Sequence, residues 1–304
     1  MKKLAAILLT LALIFAFASC GAKNNETTTA EDTSAAETTG EITTEAATEA
    51  KETESVTDIS ETSAEEQTTQ EEKSKVPQTD EEILAAYTKV MNKAKNDKAG
   101  FTLSEWQELP SDPGSRVISK GNTLVGAALN VANNFMTSEE DAKAKPTVYE
   151  KGGDMAAFPI RNTPYGCTLK DTSALKSIKC EELSNGNVKI TLVLKDEMNP
   201  EPAPAGSGNS PSNTGKVITP LSKSEIDEKL NGGIVSAVAK DISYSLLFHD
   251  VTSTVVYNPE TDEIVSLNQT TRVTVSGSGK IAGMEIVVDK QELVNNKEIT
   301  NLKY

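Results

Sequence analysis

The spacing of the apolar residues is helical at the start of the folded region and strand-like after it. Thr79–Glu82 is a capping box, in which the first and last side chains each accept a hydrogen bond from a backbone N–H. Apolar residues then recur every three or four positions, which predicts a helix that ends near Asn96. The same spacing predicts a second helix over residues 122–136 and a short one over residues 223–230. The apolar residues of the first helix are Ile83, Tyr87, Val90 and Ala94.

After the second helix, apolar residues alternate with polar ones, which is typical of strands with one buried face. Turn-forming residues at 258–262 and 276–279 separate the strands, and residues 263–276 can form one long, bent strand. Helices followed by such strands predict an α+β domain over residues 79–304, with N-terminal helices packed on a curved, mainly antiparallel β-sheet. A short strand is expected at residues 101–103, with Trp106 as a core anchor beside it. The predicted C-terminal strands are 252–257, 263–269, 271–276, 280–289 and 298–302.

The residues on either side of Asn185-Gly186 predict a β-hairpin whose register depends on its loop. A two-residue loop would place the apolar residues of the two strands on opposite faces. A three-residue loop, with its glycine in the left-handed conformation, places all of them on one face, and burial therefore favours it. In that register Cys180 pairs with Ile190, and Ile178 pairs with Leu192.

The charge is concentrated in one segment of the chain. Residues 22–75 hold 15 acidic residues and 4 lysines, in a chain of net charge −15. This segment is rich in Thr, Glu, Ser and Ala and has no aromatic residue, so it lacks the apolar surface that would offset the entropy of ordering. We therefore expect a disordered linker over residues 20–78. As an extended tether at ~3.1 Å per residue it would reach on the order of 170 Å.

The N-terminus has the parts of a secretion signal. Lys2 and Lys3 precede an apolar run over residues 4–18, which is short for a bilayer-spanning helix and closes on Phe17-Ala18-Ser19-Cys20. This run resembles the lipobox of bacterial lipoproteins. The resemblance implies a signal peptide over residues 1–19, a diacylated Cys20 and a membrane-anchored protein on the extracytoplasmic face. The alternative is a secreted protein with an incidental cysteine at this position.

Two further resemblances concern the folded domain. The run from Cys167 to Lys195, the Pro-rich segment over residues 199–217, interpreted as a surface loop, and the strands of residues 254–267 resemble an uncharacterised domain of clostridial-type surface lipoproteins. In its order of elements, the domain is also similar to the half-barrels of lipoprotein carriers. That similarity is an analogy of fold, and it implies an apolar ligand held under the sheet.

Cys167 and Cys180 remain as a pair if Cys20 carries lipid. Their spacing is neither that of a metal motif nor the Cys-x-x-Cys of a redox site. An oxidising compartment favours a structural disulfide between them, and two free buried thiols are the alternative.

Few residues offer catalytic or metal chemistry. His249 is the only histidine, so the chain lacks the residues for a multi-histidine metal site and has one histidine at most for a Ser/Cys–His triad. Three arginines in the whole chain argue against nucleic-acid binding. We expect no catalytic, cofactor or metal site. The candidates weighed against a structural role are His249-Asp250, Glu181-Glu182, Glu139–Asp141, Trp106 and Phe158, with a solvated loop expected for the first and core filling for the two aromatics.

These observations favour a surface-anchored lipoprotein whose non-enzymatic domain binds an unidentified ligand or envelope partner. The alternative function is that of a carrier or envelope factor that encloses a lipid or another apolar molecule under the sheet. A carrier of this kind needs several hundred Å³ of apolar space, so the size of any cavity distinguishes the two hypotheses.

Overall fold

The computed structural model describes residues 76–304, except 135, 205–206, 232–235 and 238. The predicted signal peptide, Cys20 and the acidic linker up to residue 75 lie outside the described residues. Within the described part, the chain forms four α-helices and nine β-strands. The helices are α1 (Asp80–Asn96), α2 (Asn122–Asn133), α3 (Glu139–Ala144) and α4 (Lys223–Asn231). The strands are β1 (Gly100–Glu108), β2 (Arg116–Lys120), β3 (Thr147–Tyr149), β4 (Leu175–Glu182), β5 (Val188–Leu194), β6 (Glu197–Met198), β7 (Ala239–Asn258), β8 (Glu263–Ile281) and β9 (Met284–Lys303).

The nine strands join one open sheet in the order β3-β1-β9-β8-β7-β5-β4. Strand β2 also pairs with β9, and β6 also pairs with β7. Every pairing between the described strands is antiparallel. Strands β7, β8 and β9, of 20, 19 and 20 residues, form a central meander, and the shorter strands widen the sheet on both sides. Four helices and an antiparallel sheet make this an α+β fold, as the residue pattern predicts.

The predicted hairpin is confirmed, including its register. Cys180 pairs with Ile190 and Ile178 with Leu192. Gly186 has a φ of 79°, in the left-handed region that the three-residue loop requires. In β5 the side chains alternate between buried and half-buried positions, as expected for a strand that faces the core on one side.

The central meander differs from the prediction at its second turn. Residues 276–279 were expected to form a turn, but they lie inside β8, and the chain reverses at Ala282-Gly283. Both of these residues have positive φ, 48° and 80°, as a two-residue hairpin loop requires. Alanine is uncommon in that conformation, so the residue pattern gave no signal for this turn. The predicted strand 280–289 is therefore two strand ends joined by a turn.

Helix α1 packs over the sheet, against β4 and β8. Its capping box forms as predicted, with the Thr79 side chain accepting from the Glu82 N–H and the Glu82 carboxylate accepting from the Thr79 N–H. Tyr87 is fully buried, and its hydroxyl lies 2.7 Å from Ser253 Oγ on β7. The main core lies between this helix and the sheet, and its largest fully buried side chains include Phe101, Phe158, Ile190, Leu192, Leu246, Phe248 and Leu267.

Two expectations about the core were wrong. Trp106 and Leu103 point to opposite faces of the sheet, because Trp106 is at an even position of β1 and Leu103 is at an odd one. Its ring is half-buried, with Lys143 Nζ of α3 5.3 Å from the ring centroid. The Pro-rich segment over residues 199–217 is also more than a surface loop, since Val217 and Thr214 are completely buried.

Candidate functional site

An apolar groove of about 160 Å³ lies between α2 and one end of the central meander. The sheet side is formed by the beginning of β7, the end of β8 and the beginning of β9. These segments adjoin the β8–β9 turn. The groove opens on the same sheet face as the main core, because Val275 and the core residue Val273 are both odd positions of β8. The apolar side chains on the sheet side include Ile242, Val275, Ile281, Ile286, Val288 and Leu293.

Two inward-facing positions of β8 at the groove are glycines. Gly277 and Gly279 follow Val275 on this face, so two consecutive positions provide no side chain. At position 277 the neighbouring strand also requires glycine. A Cβ atom on Gly277 would lie 2.6 Å from the Ser243 carbonyl oxygen. On Gly279 it would collide with the Ile242 side chain.

Helix α2 covers the groove with one apolar face. The residues of this face recur at helical spacing, and two of the five are alanines. Leu124 and Val125 pack on Ile281, Ile286 and Val288 in a small cluster that is separate from the main core. The chain has no charged residue between Lys120 and Glu139. The five helix residues that line the groove are Leu124, Val125, Ala128, Leu129 and Ala132.

Two polar side chains at the groove, Gln291 and Tyr244, have partners within the protein. Gln291 Nε2 donates to the carbonyl oxygens of Pro110 and Glu292, at 3.2 and 2.8 Å. Gln291 Oε1 accepts from Arg116 Nε at 2.8 Å. The Tyr244 hydroxyl lies 2.7 Å from Asp227 Oδ1, to which it donates. Burial, followed by the nearby Asp227 carboxylate, raises the pKa of Tyr244. The groove therefore offers apolar contact, and these polar groups already have their hydrogen bonds.

A smaller polar pocket of about 40 Å³ lies further along the same sheet face. Its wall includes Glu105, Lys297 and Arg161. Lys297 Nζ donates to the Ala157 carbonyl oxygen at 3.2 Å, and Arg161 forms a 2.7 Å ion pair with Glu225. Glu105 Oε2 is buried without a hydrogen-bond partner. A pocket of this size has room for about one water molecule and not for an organic ligand.

His249-Asp250 does not lie in a solvated loop, as was expected, but within β7 at an irregularity of the β7–β8 register. His249 Nδ1 lies 3.1 Å from Asp250 Oδ2, and His249 Nε2 lies 3.1 Å from Thr274 Oγ1. The hydrogen bond with His249 is the main reason that the pKa of Asp250 is lowered. Thr274 is an even position of β8, so this chain of hydrogen bonds lies on the sheet face opposite the groove.

The other candidate residues have structural roles. Glu181 forms a 2.9 Å ion pair with Lys189, and Glu139 pairs with Lys143 at 2.8 Å in α3. Phe158 fills the core as expected and meets the ring of Phe101 edge-on, with 5.7 Å between centroids.

Both folded-domain cysteines are free thiols in the structure, so the predicted Cys167–Cys180 disulfide is not formed there. Cys167 is buried against α1, where its sulfur lies 3.5 Å from Thr88 Oγ1, the donor of a hydrogen bond. Cys180 is half-buried on β4. Burial raises the pKa of each thiol, which disfavours the reactive thiolate at both sites.

Among the described residues, no group of three or more His, Cys, Asp or Glu side chains is placed to hold a metal ion. Over the same residues, none of the helices has the length and apolar character that a membrane span needs.

Comparisons with protein-family models, with curated proteins and with solved structures found no match to this chain. The groove was not predicted from the sequence. Two features point to it: the uncharged stretch between Lys120 and Glu139, and the glycines at alternate positions 277 and 279 of a strand-like run.

Proposed function

We propose that this chain is a membrane-anchored lipoprotein on the extracytoplasmic face, whose non-enzymatic domain binds an apolar ligand in the groove beneath α2. The observation that carries the proposal is the groove itself, which has an apolar lining and polar neighbours that are already hydrogen-bonded. The anchor rests on the resemblance of Phe17-Ala18-Ser19-Cys20 to a lipobox. A curved sheet with α1 and α2 packed on its inner face would hold such a groove open on one side.

A carrier that encloses a whole lipid is the second candidate. The groove volume of about 160 Å³ is below the ~300–1,000 Å³ of sites that enclose drug-sized ligands. The feature that favours the carrier is the attachment of α2, whose Leu124 and Val125 pack on a small cluster outside the main core. Movement of α2 away from the sheet would enlarge the space without disturbing that core.

The test compares two substitutions of the same kind on neighbouring residues of α2. Ala128 lines the groove and is buried, whereas Ala127 is exposed. The protein is the chain of residues 20–304 with Cys20→Ser, here termed the unlipidated mature chain, so that no detergent competes for apolar probes. Each variant is titrated with a series of uncharged hydrocarbons while the melting temperature is followed, since a ligand that binds the folded state raises it.

We expect at least one hydrocarbon to stabilise the unlipidated mature chain and its Ala127→Leu variant. Ala128→Leu should abolish the effect, because the added side chain fills the groove. If no hydrocarbon binds, or if Ala128→Leu binds as well as Ala127→Leu, the groove is not the ligand site and the proposal is wrong.

A further inference from the structure

We propose that the ligand of the groove is a compact, uncharged hydrocarbon group of about the size of one aromatic ring. This inference rests on the proposed function, because it assumes that the groove is a binding site. It adds the size and the charge of the molecule that the site accepts.

The size follows from the volume of the groove. An apolar cavity of about 150 Å³ stays dry and binds benzene, and the groove is close to that volume at about 160 Å³. Two fused rings or the full acyl chain of a lipid exceed the space of one ring, so they would protrude from the open side of the groove or require α2 to move. On the sheet side the space beside Gly277 and Gly279 is already taken by Ser243, Tyr244 and Ile242 of β7.

The charge follows from the lining. None of the groove residues is Asp, Glu, Lys, Arg or His. An ionised ligand would lose its hydration without meeting an opposite charge, which is strongly unfavourable. The Tyr244 hydroxyl gives an ionised ligand no partner, because it already donates to Asp227. Lys223 is engaged on the same tyrosine, with its Nζ 4.2 Å from the centre of the ring.

The position of the small residues explains why one ring is accommodated. Gly277 and Gly279 line the groove from the sheet, and Ala128 and Ala132 line it from the helix. Larger residues surround them, with Leu129 on α2 and Leu293 on β9 among them. The smallest lining residues therefore occur on both sides of the groove. Changing a small residue should block the site, and changing a large one should extend it.

The experiment uses three fluorinated probes and ¹⁹F NMR on the unlipidated mature chain. Fluorobenzene tests the size, 2-fluoronaphthalene is a larger rigid ring system, and 4-fluorobenzoate adds a negative charge to the single ring. We expect saturable binding of fluorobenzene, and binding at least tenfold weaker for the other two. Ala128→Leu should lose fluorobenzene binding, and Ala127→Leu should retain it.

A size-extending variant makes the test independent of the blocking one. Leu129→Ala removes a lining side chain, so this variant should bind 2-fluoronaphthalene at least tenfold more tightly than the unsubstituted chain does. Equal affinities for fluorobenzene and 4-fluorobenzoate would overturn the inference about charge. Tight binding of 2-fluoronaphthalene by the unsubstituted chain would overturn the inference about size and leave the proposed function intact. Failure of fluorobenzene and 2-fluoronaphthalene, together with failure of the hydrocarbon series in the melting-temperature titration, would overturn both the inference about size and the proposed function.

Discussion

The same substitution, glycine to alanine, is predicted to have opposite effects at two sites that differ in the space around the Cβ atom. At Gly277 the new Cβ would lie 2.6 Å from the Ser243 carbonyl oxygen and 3.0 Å from Tyr244 Cα. These are backbone atoms of the neighbouring strand, and Tyr244 is the direct partner of Gly277 in the β7–β8 pairing. The clash therefore cannot be relieved by a side-chain rotation. At Gly126 in α2, no atom outside the adjacent residues and backbone of the helix lies within 4 Å of the added carbon.

The magnitudes follow from overpacking and from chain entropy. Inserting one carbon into a closely packed region costs about 1–3 kcal/mol. Part of that is offset by ~0.4–1 kcal/mol, because alanine restricts the unfolded chain more than glycine does. We therefore expect Gly277→Ala to lower the free energy of unfolding by about 1–2 kcal/mol. Gly126→Ala should raise it by ~0.5–1 kcal/mol, the usual difference between the two residues inside a helix.

The assay is thermal and urea unfolding of the unlipidated mature chain and both variants. For a domain of this length ~1 kcal/mol corresponds to about 2–4 °C, so Gly277→Ala should melt about 2–8 °C lower, and Gly126→Ala should melt slightly higher. If Gly277→Ala is as stable as the unsubstituted chain, β7 and β8 do not approach each other as closely at this position as the structure shows.

Three other predictions concern the anchor, the thiols and a buried lysine. Cys20→Ala should move the protein from the membrane fraction to the medium or leave an unprocessed precursor; unchanged fractionation would exclude the lipobox. Thiol titration of the unfolded mature chain with Cys20→Ser, without reductant, should count both Cys167 and Cys180, and reductant should leave its melting temperature unchanged; a count of zero would restore the disulfide. Burial lowers the pKa of Lys95 to about 8, below its usual 10.5. The unfolded state therefore binds more protons between these values, and stability should rise with pH across this window relative to Lys95→Met; identical pH profiles would refute this.

The parts of the fold that the sequence predicts are those determined by short-range rules. The capping box at Thr79–Glu82 fixes the start of α1, because both partners lie within one turn. The register of the β4–β5 hairpin follows from a single requirement, that its apolar residues share a face. Gly186 then satisfies the loop at no steric cost.

The groove and the second hairpin turn depend on contacts that sequence periodicity does not contain. Ser276–Gly279 has the composition of a turn, yet its glycines allow β7 to approach closely. The β7 residues that pair with them are more than 30 positions earlier in the sequence. The real turn uses Ala282, which no turn rule favours at positive φ. His249-Asp250 was misplaced for a related reason, because a register irregularity inside a long strand resembles a loop in the sequence.

The location of the groove has a consequence for how binding and stability are related. The main core lies under α1, where Tyr87, Leu192, Phe248 and similar residues are completely buried. The groove lies at the other end of the meander, where Ile242, Tyr244 and Val275 of its sheet side also pack against the main core. Its helix is fixed by the separate cluster of Leu124 and Val125 with the β8–β9 hairpin. The α2 residues lie outside the main core, and residues that share no partners contribute almost additively to stability. Changes in α2 should therefore alter what the groove admits while the main core keeps the sheet folded. This separation allows size and charge preferences to be tested by substitution without unfolding the domain.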